Sequence, residues 1–215
     1  MGEPRSLTAV DFLLEPDATM LERAAAANDR LRAVYPDGFA LDALHRPHIT
    51  MVQGYFPTDR LDEIFAAAKI VLDREPIASW PLRAFAYYYL PLEGIGLAGI
   101  VVEPSEVLVG LQRKLLDALA PFTATGGSAD AFAKTADEPE INDAGIAYTE
   151  VFEAVAAGAN FNPHVTIGIS TRAHLDEMLA EQFDEFSFST VGAAAYQLGN
   201  FGTAAKQLRR WEVQR

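Results

Sequence analysis

The sequence predicts an α+β fold built by internal duplication, and three observations predict it. The stretch "RPHITM" at residues 46–51 returns as "NPHVTI" at residues 162–167. Each copy is followed by the same order of elements, a threonine that can cap a helix, the helix itself, then two strands. The strands are rich in β-branched and aromatic residues, whereas the helices place apolar residues at the 3.6 period.

Taken in order, "LTAVDFLLEP" reads as a strand that stops at Pro16. Asp17 then caps a helix through Leu21, Ala24, Leu31 and Val34, which "YPDG" ends. "HITMVQGYF" is a strand, and Thr58 is the predicted cap of a helix whose Leu61, Ile64, Phe65, Ala68 and Leu72 share one face. "LRAFAYYYL" and "GLAGIVVEP" form a hairpin across "PLEG", and Ser105 precedes a helix stopped by Pro121. From residue 123 to about 160 the periodicity dissolves, with at most a short helix near "YTEVFEAVAA", so a mobile lid, binding loop or disordered insert is expected. "HVTIGIS" is the second motif strand, Thr171 caps a helix through Leu175 and Leu179, and "FSFSTVGAAAYQL" and "AAKQLRRWEV" close the chain around "GNFG".

The chain of 215 residues suits a single bilobal domain, with a first motif lobe over about 46–120, a loop or lid over about 121–160 and a second motif lobe over about 161–215. Residues 1–45 complete the sheets. A net charge of −13 argues against a long polyanion held by phosphate contacts and leaves a small anionic substrate possible. With no cysteine there is no disulfide, thiolate metal site or cysteine nucleophile. The opening residues show no signal peptide and no run is long enough to span a membrane, so a cytoplasmic monomer is expected.

On a strand, residues i and i+2 share a face, so His48 projects with Thr50 and His164 with Thr166. If the two copies pack about a pseudo-two-fold axis, the pairs line one groove. One imidazole can then act as base on the attacking oxygen and the other as acid on the departing oxygen, while the hydroxyls hold a phosphoryl group. Neither a metal nor another cofactor is required. A zinc site is disfavoured, since hydroxyls are poor zinc ligands and no His-x-x-x-His accompanies the motifs.

Paired His-x-Thr strands half a chain apart, with the closing "AYQLGNFGTA", resemble the 2H phosphoesterase superfamily, in its 2'-5' RNA ligase-like and cyclic phosphodiesterase branch. That resemblance implies two pseudo-symmetric lobes with antiparallel sheets facing a central groove and helices outside. It implies His48 and His164 as the acid/base pair and Thr50 and Thr166 as the phosphate-holding hydroxyls. The expected substrate is a 2',3'-cyclic or related cyclic phosphate on a small nucleotide or RNA end; the reverse reaction is 2'-5' RNA ligation. Members of the family often carry a basic or aromatic residue five positions after a motif histidine, where this chain has Gln53 and Ile169. Gln53 can hydrogen-bond substrate; Ile169 cannot, which keeps a non-catalytic binding module open. Tyr55, Phe161 and Tyr196 are candidate stacking surfaces for a base. Arg46 is a candidate positive charge beside the first motif, and His45 and His174, lacking the threonine, are read as surface residues.

Overall fold

The computed structural model describes residues 6–136 and 138–212. The apolar run Leu7–Pro16 forms β1, and the Asp17 carboxylate accepts from the Met20 amide at 3.3 Å to open α1 (Ala18–Val34). The first motif strand is β2 (Ile49–Pro57). Thr58 does not cap the next helix as predicted. A short 3-10 turn at Thr58–Arg60 intervenes before α2 (Leu61–Leu72), and the Thr58 hydroxyl bonds those of Thr8 and Ser6 instead, a tertiary partner replacing the local one. The hairpin is β3 (Leu82–Pro91) and β4 (Ile95–Val102), followed by α3 (Glu106–Leu119).

The stretch expected to be a mobile lid is largely packed. It holds a 14-residue helix, α4 (Asp143–Ala156), capped by Asn142, whose side chain accepts from the Gly145 amide at 2.7 Å. Ala131, Phe132 and Ile141 bury themselves with Tyr55 and Leu198, so the segment has its own small core. The short helix expected near "YTEVFEAVAA" is there but begins earlier, at Asp143, where Gly145 and Thr149 weaken the 3.6-period signal. Asp137 lies outside the described residues. The second motif strand is β5 (His164–Thr171), where Thr171 caps α5 (Arg172–Ala180) as predicted; β6 (Phe186–Phe188), β7 (Thr190–Leu198) and β8 (Ala204–Glu212) follow. The closing strand expected from the sequence runs to Val213, which lies outside the described residues.

All eight strands among the described residues are antiparallel and form one sheet in the order β6-β3-β4-β5-β2-β1-β7-β8. Its two halves of four strands meet at a single register pair, Ile49 with Val165. The halves are interleaved in sequence rather than contiguous. The first motif strand, β2, pairs with β1, yet the β3–β4 hairpin that follows it pairs with the second motif strand. Likewise β7 and β8, which follow the second motif, extend the half that holds β2. One core under the outer face of both halves joins Val10, Phe12 and Leu14 of β1 to Val165 and Ile167 of β5 and to helices α1, α2 and α3.

Each motif strand carries a β-bulge immediately after its threonine. In β2 the register passes from Thr50 to Val52, leaving Met51 over, and in β5 from Thr166 to Gly168, leaving Ile167 over. Met51 and Val52 therefore both enter the outer core, and Gln53 returns to the groove face five residues after His48. The second bulge is pinned from outside: the buried Asn28 side chain donates to the Ile167 carbonyl at 2.8 Å and to that of Phe39 at 3.0 Å. Gly168 beside it has φ +133°, and a Cβ there would stand 2.6 Å from Asn28 Nδ2. Gly168→Ala is accordingly expected to destabilise the protein by roughly 1–3 kcal/mol, read as a lower melting temperature. An unchanged melting temperature would show that the bulge relaxes without cost.

Candidate active site

The bridging pair explains how the two motifs meet. Ile49 and Val165 point into the core, so their neighbours His48, Thr50, His164 and Thr166 turn to the opposite face. All four motif residues line one groove of ≈ 440 Å³, to which α4 contributes lining residues.

The two imidazoles carry different environments. His48 Nδ1 lies 2.6 Å from the Arg46 carbonyl, which can only accept, so this nitrogen bears a proton. His48 Nε2 lies 3.1 Å from Asp11 Oδ2, ion-pair distance from a carboxylate that favours the doubly protonated imidazole. Burial by itself would lower the His48 pKa, but the hydrogen bond and the negative charge of Asp11 outweigh it and hold the group above its ordinary value. His164 likewise donates Nδ1–H to a carbonyl, that of Asn162 at 2.7 Å. Its Nε2, however, lies 2.7 Å from the Tyr88 hydroxyl, and burial followed by the nearby charge of His48 pushes His164 below its ordinary value. His164 is thus neutral, accepting from Tyr88, whose own phenol is raised by burial and stays protonated.

Sequence reasoning misses Asp11 and Tyr88. Asp11 is fully buried in β1, opposite Gln53 in one ladder and Tyr196 in the other. Its Oδ2 accepts from Thr50 Oγ1 at 2.8 Å and from Gln53 Nε2 at 3.2 Å. The signal that could have found it is a lone carboxylate inside the apolar run "TAVDFLL". Tyr88 reaches His164 because Gly99 lies beneath it: a Cβ at that position would stand 2.6 Å from Tyr88 Cε1 and 3.3 Å from His164 Cδ2. In a row of three tyrosines nothing local distinguishes the one that faces the groove.

The other candidates divide. Gln53 and Phe161 line the groove. Tyr55 does not: it is 1% exposed, packs edge-on to Phe132 and donates its hydroxyl to the Ile146 carbonyl at 3.0 Å, so it is core and not a stacking platform. Tyr196 lies in a neighbouring pocket that shares His48, where its hydroxyl accepts from Arg46 at 3.0 Å and donates to Gln207 at 2.9 Å. Ile169 is buried and outside the groove lining. His45 and His174 are mostly buried rather than on the surface. His45 lies between Asp42 and Glu138, at 2.9 and 3.2 Å, and stacks on Phe39, because two carboxylates hold it against the chain. Neither lines the groove. The lining is apolar and aromatic, with Leu90, Leu97, Tyr148 and Phe152, plus amides at Asn142 and Asn160; among the described residues it contains no Lys, Arg, Asp or Glu. No helix among them is long and apolar enough to cross a membrane.

The model of the 2'-5' RNA ligase superfamily matches residues 21–193. No curated protein sequence matches the chain. Among solved structures, TT0787 of Thermus thermophilus is 16% identical, with 96% of this chain and 98% of that chain covered and a TM-score of 0.57, so the two share a fold. LigT of E. coli, solved in complex with NADP+, is 13% identical over 98% of this chain and 100% of that chain, with a TM-score of 0.48. Usb1 of Kluyveromyces marxianus is 12% identical over 95% and 98%, with a TM-score of 0.46.

Proposed function

This chain belongs to the 2'-5' RNA ligase superfamily, the 2H phosphoesterases, and from that premise we propose that it hydrolyses a 2',3'-cyclic phosphate on a small nucleotide. The observation that carries the reading is the unequal setting of two imidazoles in one groove, His48 Nε2 at 3.1 Å from the Asp11 carboxylate and His164 Nε2 at 2.7 Å from the Tyr88 hydroxyl, which bias the first toward the charged form and the second toward the neutral one. In this scheme His164 Nε2 takes a proton from the attacking water as its oxygen bonds to phosphorus. The bond from phosphorus to one ribose oxygen breaks, and His48 gives its proton to that oxygen, leaving a phosphate monoester. The Thr166 hydroxyl is the donor for a non-bridging oxygen. The Thr50 proton is committed to Asp11, so Thr50 serves the acid rather than the phosphate.

The groove lining favours hydrolysis of a small substrate over ligation of two RNA ends, because ligation must gather several phosphates and no Lys or Arg lines the groove among the described residues. A second reading has support of its own: the Tyr88 hydroxyl occupies the lone pair that the base needs, so the groove could bind nucleotide without turnover unless substrate displaces it. Incubation with a panel of 2',3'-cyclic nucleoside monophosphates in the presence of chelator separates the two. Expected is turnover with a bell-shaped profile of kcat/KM. The acidic limb falls below about 6.5, where His164 takes up its proton, and the basic limb lies above about 6.5, where His48 loses its own. Binding without turnover would overturn the catalytic reading.

A further inference from the structure

We propose that Asp11 is the positioning residue that fixes the proton on His48 and so decides which of two otherwise equivalent histidines is the acid. The inference rests on the reading above for its catalytic consequence, while the contact it starts from, Asp11 at 3.1 Å from His48 Nε2, is geometric. The two motifs are near-copies: the same Pro-His-x-Thr, the same bulge, and the same Nδ1–H to the carbonyl two residues earlier. A pseudo-symmetric site of this kind has no intrinsic reason to protonate one imidazole rather than the other. What breaks the equivalence is the partner of Nε2, a fully buried carboxylate on one side and a phenol on the other. Asp11 lies ahead of the residues that the family model matches, in the strand beside the first motif.

A buried carboxylate requires donors and a compensating charge. Thr50 and Gln53 supply two donors, both to Oδ2, while Oδ1 is buried with no partner among the described residues. The cation beside it is His48 itself. Other groups act on that imidazole. Across the groove, neutral His164 adds no charge, and the Tyr148 phenol of α4, raised by burial, stays neutral. On the side of the neighbouring pocket, Glu15 and Arg210 neutralise each other at 2.7 Å, leaving Arg46, whose charge works against a protonated His48. Among the described residues, Asp11 is thus the one charged side chain facing His48 that favours the charged form. Replacing it with asparagine keeps the shape and one acceptor oxygen for Thr50 and Gln53 while removing the charge.

The test is nitrogen-detected NMR of the imidazoles in the intact chain, which reports protonation whether or not the protein turns over any substrate. In the wild type at pH 7, both nitrogens of His48 should appear protonated, while His164 should show a protonated Nδ1 and a bare Nε2. In Asp11→Asn the His48 titration should move to lower pH by roughly 1 to 3. His164 should move less, since Asp11 is the smallest of the influences on it. Where turnover is present, only the basic limb of the kcat/KM profile should follow the His48 shift, a signature that a merely structural loss would not produce. A neutral His48 at pH 7 in the wild type overturns the proposal, and so does an unmoved His48 titration in Asp11→Asn. Even if the variant fails to fold, a neutral His48 in the wild-type spectrum still overturns the proposal.

Discussion

Replacing His164 with alanine is expected to lower kcat for 2',3'-cyclic phosphate hydrolysis by roughly 10²- to 10⁴-fold, the range that loss of a positioned general base produces. Fold stability should barely change. His164 is neutral, its Nδ1 partner is a backbone carbonyl at the groove, and the Tyr88 hydroxyl that it accepts from also faces the groove, so water can replace both contacts. The unfolding free energy in urea should therefore fall by no more than about 1 kcal/mol, which makes His164→Ala the clean probe of catalysis. Activity retained within tenfold would remove His164 from the chemistry.

His48→Ala should behave differently, with a large loss of stability as well as of activity. The substitution leaves the Asp11 carboxylate fully buried without its cation, and breaking a buried pair in this way costs about 3–5 kcal/mol. Activity measurements on this variant alone would confuse loss of the acid with loss of the fold. The double variant Asp11→Asn, His48→Ala removes the stranded charge and should recover much of the stability while staying as inactive as the single variant. If His48→Ala unfolds at the wild-type urea concentration, or if adding Asp11→Asn recovers nothing, Asp11 and His48 are not an ion pair. The two histidines would then differ in ways the geometry does not explain.

Both expectations depend on features of unequal visibility in the sequence. Alternation along a strand is local, so spacing alone puts His48 with Thr50 and His164 with Thr166 on common faces, and their duplication announces one shared groove. The caps at Asp17 and Thr171 are legible for the same reason, since a cap is settled within three residues. Thr58 is not, because the opportunity to bond Thr8 and Ser6 across β1 outweighs its role at the helix end. Tyr55 reads as a groove aromatic until the packed segment around Phe132 encloses it. Helix α4 is legible only as a short helix near "YTEVFEAVAA", because its burial is set by the strand it lies against and not by a strong period of its own.

What the sequence by itself determined is the pairing of two His-x-Thr strands in an α+β duplication, and with it the superfamily. Only the tertiary structure decided that the pair is unequal. The charge on a buried imidazole is set by whatever stands within a few ångströms of its second nitrogen. Here that is Asp11, 37 positions before His48, and Tyr88, 76 positions before His164, each brought into reach by strand register. Nothing in the residues next to either histidine encodes those neighbours.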